Sequence, residues 1–338
     1  MSETLRVGVI GAGSWGTTLA KISAENGHPT LLWARREEQA ARIAEERCNA
    51  EYLPNIELPL NLETTADLQR IAEFSDLLVL VVPSHGLREI ARQLGEFVDG
   101  SQCLVHATKG LEQATHRRMS EVIREETCLR KIGVIAGPNL ARELAQCGPA
   151  GTLVASHYDE VFRKGHAAFG NHYFRVYWGH DVVGAEVGGA FKNVVALAAG
   201  VLSGLGFGEN SRSLLMTRGL SEMARLGTAM GGSLVTFGGM AGIGDLIATC
   251  SSSLSRNFQV GSRLAAGETL PQIQAEMKMV AEGVKTSLAV REFATQHHID
   301  LPIAGAIHRL LHEGGSVPEL LADLMAIPTG PEFAELTR

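Results

Sequence analysis

The chain has 338 residues, 45% hydrophobic and 20% charged, which is enough for two domains with substantial cores. A net charge of −7 and a pI near 6.0 weigh against a nucleic-acid binder. Cys48, Cys103, Cys128, Cys147 and Cys250 form no CxxC or Cys/His pattern, so the reading is reduced thiols in a cytoplasmic protein, with neither a disulfide frame nor a metal site.

The N-terminus, MSETLRVGVIGAG, lacks a basic n-region and is not read as a signal peptide. Leu5 to Ile10 is a short Val/Ile-rich run, the pattern of a buried strand. Gly11-Ala12-Gly13-Ser14-Trp15-Gly16 follows at once and opens a helical pattern ending at Gly27. This is GxGxxG in its strand–turn–helix context. Gly11 permits the tight turn, Gly13 admits a pyrophosphate to the backbone, and Gly16 lets helix and strand approach. The helix N-terminus then offers N–H groups and a positive dipole end to the phosphates.

The second strand, Thr30 to Trp33, runs into Ala34-Arg35-Arg36 where an NAD enzyme usually has an acid for the ribose. Two guanidiniums suit a 2′-phosphate, so NADPH is expected over NADH. The competing reading is a solvated helix start with Glu37 and Glu38 as partners. Cys48 to Asn55 reads as a loop by its Asn and Pro content, with Tyr52 either covering a cofactor or anchoring that loop. Asp67 to Phe74 reads as a helix, Asp76 to Val82 as an apolar strand, and His85 as a helix-start residue.

Ser101 to Ala107 is the next strand, closed by Thr108-Lys109-Gly110. Lys109 at its C-terminal end is either a ligand-crevice lysine or a turn lysine. Lys131 to Ala136 is followed by Gly137-Pro138-Asn139-Leu140-Ala141, a turn and N-cap able to meet an anion. Gly151 to Ser156 and His172 to Trp178 are strands around a helix from Asp159 to Phe169. The alternation implies a doubly wound, mostly parallel α/β sheet of Rossmann type, covered on both faces, over residues 1–184.

Beyond residue 184 the pattern turns helical, predicting an all-α domain over 185–338. Gly188 to Gly200 is an apolar run holding one lysine, Lys192, and one amide, Asn193. The longest uncharged stretch, Asn193 to Gly208, falls short of a membrane span and reads as a core helix. Further helices are expected at Ser211–Met230, Arg256–Ala266, Gly283–His297, Pro302–Leu311 and Val317–Met325. Gly238 to Cys250 is glycine-rich, but no Gly-Lys-Ser/Thr follows, so a P-loop is rejected. Its expected use is a tight helix entry aiming Asp245 and Thr249, one turn apart, at one spot. Ser255-Arg256-Asn257 at a helix start is either a phosphate cradle or a plain cap.

Over nearly its whole length the chain resembles bacterial NAD(P)-dependent glycerol-3-phosphate dehydrogenases. The resemblance lies in GAGSWGT, LWARR, NAEYLPN, VVPS, ATKGLE, AGPNLARE, GGAFKNVVALAAG, GFGEN, TRGLSEMARLG, GMAGIGDL, SRN and MVAEG, in the family's order. It implies Lys192 as catalytic acid/base, with Lys109 and Asp245 beside it. It implies substrate contacts at Lys109, Gly137, Asn139, Lys192, Asp245, Ser255, Arg256 and Asn257. It implies cofactor contacts at Ser14, Trp15, Arg35, Arg36, Tyr52, Lys109, Ala141, Arg256, Val280 and Glu282. Asn139, Leu140 and Phe191 depart from the family's usual residues. The implied reaction is reversible hydride transfer between NADPH, or NAD as second choice, and dihydroxyacetone phosphate, serving glycerophospholipid synthesis in a cytoplasmic homodimer without membrane insertion. The alternative is a related two-domain dehydrogenase acting on a 3-hydroxy acid or ketopantoate. Either way, Lys192 is expected to be buried in the cleft between the domains, close to Lys109 and Asp245.

Overall fold

The computed structural model describes residues 4–277 and 281–326. By packing, the chain divides into two units: Met1–Lys109 with Arg117–Glu186, and Gly110–His116 with Val187–Arg338.

Among the described residues the first unit holds all the strands: β1 (Val7–Ile10), β2 (Thr30–Trp33), β3 (Cys48–Asn49), β4 (Leu53–Glu57), β5 (Leu62–Thr65), β6 (Leu77–Leu80), β7 (Cys103–His106), β8 (Ile132–Ala136), β9 (Ala150–Ser156) and β10 (Phe174–Gly179). Its helices are α1 (Ser14–Glu25), α2 (Glu37–Glu46), α3 (Leu68–Phe74), α4 (Ser84–Gly95), α5 (Met119–Glu126), α6 (Ala141–Ala145) and α7 (Asp159–Phe169). Eight strands form one sheet in the order β10-β9-β8-β7-β6-β1-β2-β5. β1, β2, β6 and β7 are short and wholly buried, as strands covered on both faces must be. Alternate residues feed two cores. Val7, Val9, Val79 and Val105 join Leu19, Ile22 and Phe169 on one face, while Ile10, Leu78, Leu80 and Leu104 join Ile71, Leu87 and Ile123 on the other.

The mostly parallel sheet expected from the sequence is found, with one exception: β8 and β9 pair antiparallel, Gly133 opposite Ser156. A parallel return needs a crossover that carries the chain back along the strand. The only helix between them, α6, has five residues, or about 8 Å of rise, so the chain turns back instead. The predicted Cys48–Asn55 loop contains strands β3 and β4, which pair as a hairpin. Pro54 is tolerated there on an edge strand, and Leu53 and Ile56 anchor the hairpin by packing with Ala145. The sequence reading also missed β5, whose polar LETT run extends the sheet beyond β2.

The division between units falls within α8 (Val182–Gly204). The second unit continues through α9 (Glu209–Ala229), α10 (Leu234–Phe237), a π-helical turn at Met240–Gly244, α11 (Asp245–Ser251), α12 (Arg256–Ala265), α13 (Leu270–Glu276), α14 (Glu282–Gln296), α15 (Pro302–His312) and α16 (Val317–Met325). Among the described residues α8 and the Leu234–Ser251 stretch are long and apolar enough to cross a membrane. The uncharged-run count overlooked this, since Lys192 interrupts α8. The most apolar window of α8 is 89% buried within the protein, so its apolarity serves a core.

Glu222 of α9 shows how that helical unit is joined. Its buried carboxylate accepts the N–H groups of Ile303 (2.7 Å) and Ala304 (3.2 Å), capping α15. Burial pushes its carboxyl up to about 7, against the two N–H groups and Arg225. A raised carboxyl favours the fold while protonated, so its contribution is complete below pH 4.5 and is lost as pH rises through 7. Stability should therefore fall by up to about 1.4 kcal/mol per pH unit across that window from this group. Denaturant titrations of Glu222→Gln should give a flatter pH profile than the parent, and equal slopes would remove Glu222 as the cause.

Candidate active site

In the first unit, the loops after β1, β2, β6, β7 and β8 leave the C-terminal ends of parallel strands, so they emerge along one edge of the sheet. From β1 the chain crosses to β2 on one side and β6 lies on the other, which makes β1 the switch point where such sheets bind ligands. The glycines there have distinct roles. Gly11 has φ +122°, and a Cβ on it would stand 2.2 Å from the Val81 carbonyl oxygen. A Cβ on Gly16 would stand 1.9 Å from that of Gly11, so α1 is seated directly on the turn. A Cβ on Gly13 would meet nothing within 4 Å, which leaves room over the α1 N-terminus for a bulky anion.

The β3–β4 hairpin braces this turn. Asn49 donates to the Ala12 carbonyl (3.0 Å) and to Thr17 Oγ1 (2.8 Å), and Gln39 also donates to Ala12 (3.1 Å). The Ser14 hydroxyl donates to the Tyr52 carbonyl at 2.7 Å. Tyr52 is thus fixed beside the turn by its backbone, and its side chain is half-buried. Asn49 and Gln39 were not singled out in the sequence, where nothing marks an amide that will meet a carbonyl far along the chain. The Trp15 ring packs edge-on to Phe174, 6.4 Å between centroids.

Arg35 and Arg36 are both exposed at the end of β2. Arg36 pairs with Glu51 of the hairpin turn at 2.7 Å, not with Glu37 or Glu38, and Arg42 joins the same carboxylate at 3.3 Å. Such surface pairs are weak. Lys109 stands half-buried past β7, after Thr108 has bonded the Val82 carbonyl at 2.7 Å. Gly137 closes β8, and the Asn139 amide is committed to β9: it donates to the Gly151 carbonyl (3.0 Å) and accepts from Thr152 Oγ1 (2.8 Å). Asn139 therefore shapes the turn. Ala141 opens α6, and its carbonyl accepts from Thr18 at 3.1 Å.

In the second unit Lys192 is 6% exposed and Asp245 1%. The Lys192 ammonium donates to Asp245 Oδ1 and, at 2.7 Å, to Thr249 Oγ1. Asp245 and Thr249 are one turn apart on α11 and do converge on one point. The glycine-rich entry makes this possible: a Cβ on Gly188 of α8 would stand 2.4 Å from the Ala241 carbonyl oxygen, so only glycine lets the π-turn lie this close. Burial acts against the ammonium and the Asp245 carboxylate acts for it. Cys250, next to the pair, has its thiol pushed up to about 12 by burial, so it is inert.

Asn193 points away from Lys192 and meets a neighbouring element. Its Oδ1 accepts from Asn257 Nδ2 at 2.8 Å, and Asn257 Oδ1 accepts the Gly283 N–H at 2.9 Å. The Asn257 side chain thus ties α8, α12 and α14 together. Ser255 is both candidate ligand and plain cap: its Oγ accepts the Phe258 N–H at 3.4 Å and keeps a hydroxyl hydrogen to donate. Arg256 opens α12; burial of its guanidinium lowers its pKa, and the Glu282 carboxylate acts against that. Glu282 opens α14, and Val280 lies outside the described residues. No cluster of metal ligands occurs among the described residues.

Family models for the N- and C-terminal regions of NAD-dependent glycerol-3-phosphate dehydrogenase match residues 6–162 and 181–322. The chain belongs to that family. It is 45% identical over 322 residues to glycerol-3-phosphate dehydrogenase [NAD(P)+] of Corynebacterium glutamicum (strain R), covering 94% of this chain and 97% of that one. It is 41% identical over 337 residues to that of Shouchella clausii (strain KSM-K16), covering 98% and 99%. The crystal structure of the Coxiella burnetii glycerol-3-phosphate dehydrogenase superposes with a TM-score of 0.91 at 33% identity, covering 96% of this chain and 99% of that one. A ketopantoate reductase from Ralstonia eutropha JMP134 reaches 0.58 at 14% identity, over 95% and 99%. That likeness is one of fold alone, so the family assignment favours the first sequence reading over the alternative.

Proposed function

We propose that the protein interconverts dihydroxyacetone phosphate and sn-glycerol 3-phosphate with a nicotinamide cofactor, NADPH in preference to NADH. The observation that carries the proposal is a buried lysine held by a carboxylate and a hydroxyl, in a chain whose Gly13 also has open space beside it at the start of α1. Gly11, Gly13, Ser14, Trp15 and Gly16 would hold the pyrophosphate. Arg35 and Arg36 would meet a 2′-phosphate, the second by exchanging its weak pair with Glu51. Tyr52, Lys109, Ala141, Arg256, Val280 and Glu282 would complete the cofactor contacts. When bound, NADPH supplies the hydride for the substrate's C2 carbon.

The protein's own residues handle the proton and the charge. The Lys192 ammonium stabilises negative charge on the C2 oxygen and delivers a proton to it; in oxidation, neutral Lys192 accepts the hydroxyl proton. Asp245 and Thr249 fix the direction of Nζ. Lys109 adds positive potential. Arg256, the Ser255 hydroxyl and the N-terminal amides of α12 hold the phosphate dianion. Because the Asn257 side chain is engaged with Asn193 and Gly283, its share in that grip is through its backbone N–H. Asn139 acts by shaping the Gly137 turn. Binding the unreactive phosphate aligns the carbonyl. We further propose residues 1–184 as the cofactor domain and 185–338 as the substrate domain, in a cytoplasmic homodimer without membrane insertion that serves phospholipid synthesis.

Purified protein should oxidise NADPH with dihydroxyacetone phosphate far faster than with ketopantoate or a 3-keto acid; a preference for either of those would reject the substrate. The Arg35→Ala/Arg36→Ala double variant should lower kcat/KM for NADPH by about ten- to a hundred-fold, the worth of one or two charge-assisted contacts. Its kcat/KM for NADH should barely move, and an unchanged NADPH/NADH ratio would return both arginines to a solvated surface.

A further inference from the structure

A second concave site lies on the first unit, and none of the residues assigned above lines it. α7 and the edge strand β10 enclose a cavity of about 700 Å³, a volume within the range of small-molecule sites. Arg163 and His166 of α7 and Arg175 of β10 line it, all three exposed, and no carboxylate does. Neither guanidinium has an ion pair among the described residues, whereas many other arginines of this acidic chain are paired with a nearby acid. Phe162, Tyr177 and Trp178 supply flat apolar surface. Trp178 is 59% exposed and Tyr177 49%. The Trp178 indole is held in place by stacking on Phe162, 5.1 Å between centroids and 18° between planes.

We infer that this cavity binds a small anion bearing an aromatic ring, of the nucleoside phosphate class. Two unpaired guanidiniums from different elements match a phosphate. Aromatic side chains beside them match a base, by stacking that tolerates any base. The uniform positive charge argues against the other use of a bare sheet edge, pairing with a second copy, since two such faces repel.

The site is tested by calorimetric titration of AMP into full-length protein saturated with NADP+, which keeps AMP from the Gly11–Gly16 turn. One saturable site per chain is expected. Arg163→Ser/Arg175→Ser should weaken it at least tenfold and Trp178→Ser about three- to thirtyfold. All three side chains are exposed, so the variants should fold, and an unchanged melting midpoint with NADP+ checks this. Ribose 5-phosphate and inorganic phosphate should bind more weakly than AMP. Absence of a saturable site under NADP+, affinity unaffected by the arginine changes, or phosphate binding as tight as AMP would each overturn the inference. So would conversion of a dimer to a monomer by Trp178→Ser in sedimentation, which would make this face a contact between copies.

Discussion

Turnover of the Lys192→Met variant should fall at least about a thousand-fold, or roughly 4 kcal/mol, while NADPH affinity stays within a factor of about three. Methionine keeps the unbranched apolar stem, so packing in α8 is preserved and only the ammonium is removed. That ammonium is bonded to both Asp245 and Thr249. Removing it takes this counter-charge from the buried Asp245 carboxylate, which costs stability as well as activity. Asp245→Asn separates the two effects. It keeps a hydrogen-bond acceptor near Nζ and removes the counter-charge, so it should retain more turnover than Lys192→Met and should shift the alkaline limb of the kcat profile to lower pH, because an unpaired buried lysine loses its proton more readily. Stopped-flow traces of NADPH absorbance with dihydroxyacetone phosphate measure both. Turnover of Lys192→Met within tenfold of the parent would exclude Lys192 as the acid/base.

The largest effect on stability is expected at a residue that plays no part in that chemistry. Glu186, in the second turn of α8, has a side chain 2% exposed. It accepts the Ser120 N–H (2.7 Å), the Ser120 hydroxyl (2.7 Å) and Arg118 Nη1 (2.6 Å), and His106 Nε2 stands 3.0 Å away, out of line for a good hydrogen bond. Burial alone would push this carboxyl up, but His106, Arg118 and the Ser120 N–H overcome it and hold the group at about 2. Glu186→Ala removes the charge and leaves Arg118 half-enclosed with Glu121 and the Ser120 hydroxyl as partners. The loss should be about 3–5 kcal/mol, read in a thermal scan as a fall in midpoint of roughly 5–10 °C. Because the folded value lies below the ordinary 4.5, this contribution is present above pH 4.5 and is lost as pH falls through 2. The gap between parent and variant should therefore close under acid; equal midpoints at pH 7 would show that the network adds nothing.

Neither Glu186 nor its partners stood out in the sequence. A single glutamate within VVGAEVGG resembles any solvated residue until the ends of β7 and α5 bring three donors to it. Lys192 is the instructive contrast. Its apolar surroundings made burial legible, and the four-residue spacing of Asp245 and Thr249 marked them as one face of a helix. What spacing does not carry is which helices meet. The Lys192–Asp245 contact spans 53 positions. It depends on glycine at Gly188, whose purpose becomes visible only against the Ala241 carbonyl. Asn139 and Asn257 show the reverse case: their residue types suit a ligand, but folding commits their amides to Thr152, Gly151, Asn193 and Gly283.

By itself, then, the sequence determined the kinds of element and the dinucleotide turn. Buried strands must be short apolar runs, helices must repeat near 3.6 residues, and a turn seated on a helix and facing a phosphate must be glycine at Gly11, Gly13 and Gly16. Tertiary structure alone decided the antiparallel return of β9, the hairpin braced against Ala12, and the partners of Glu186, Glu222 and Lys192. A local pattern records what a segment buries. It does not record the distant group that a buried polar atom must find, because that partner is fixed only when the chain closes and every such atom is left with protein or nothing to bond.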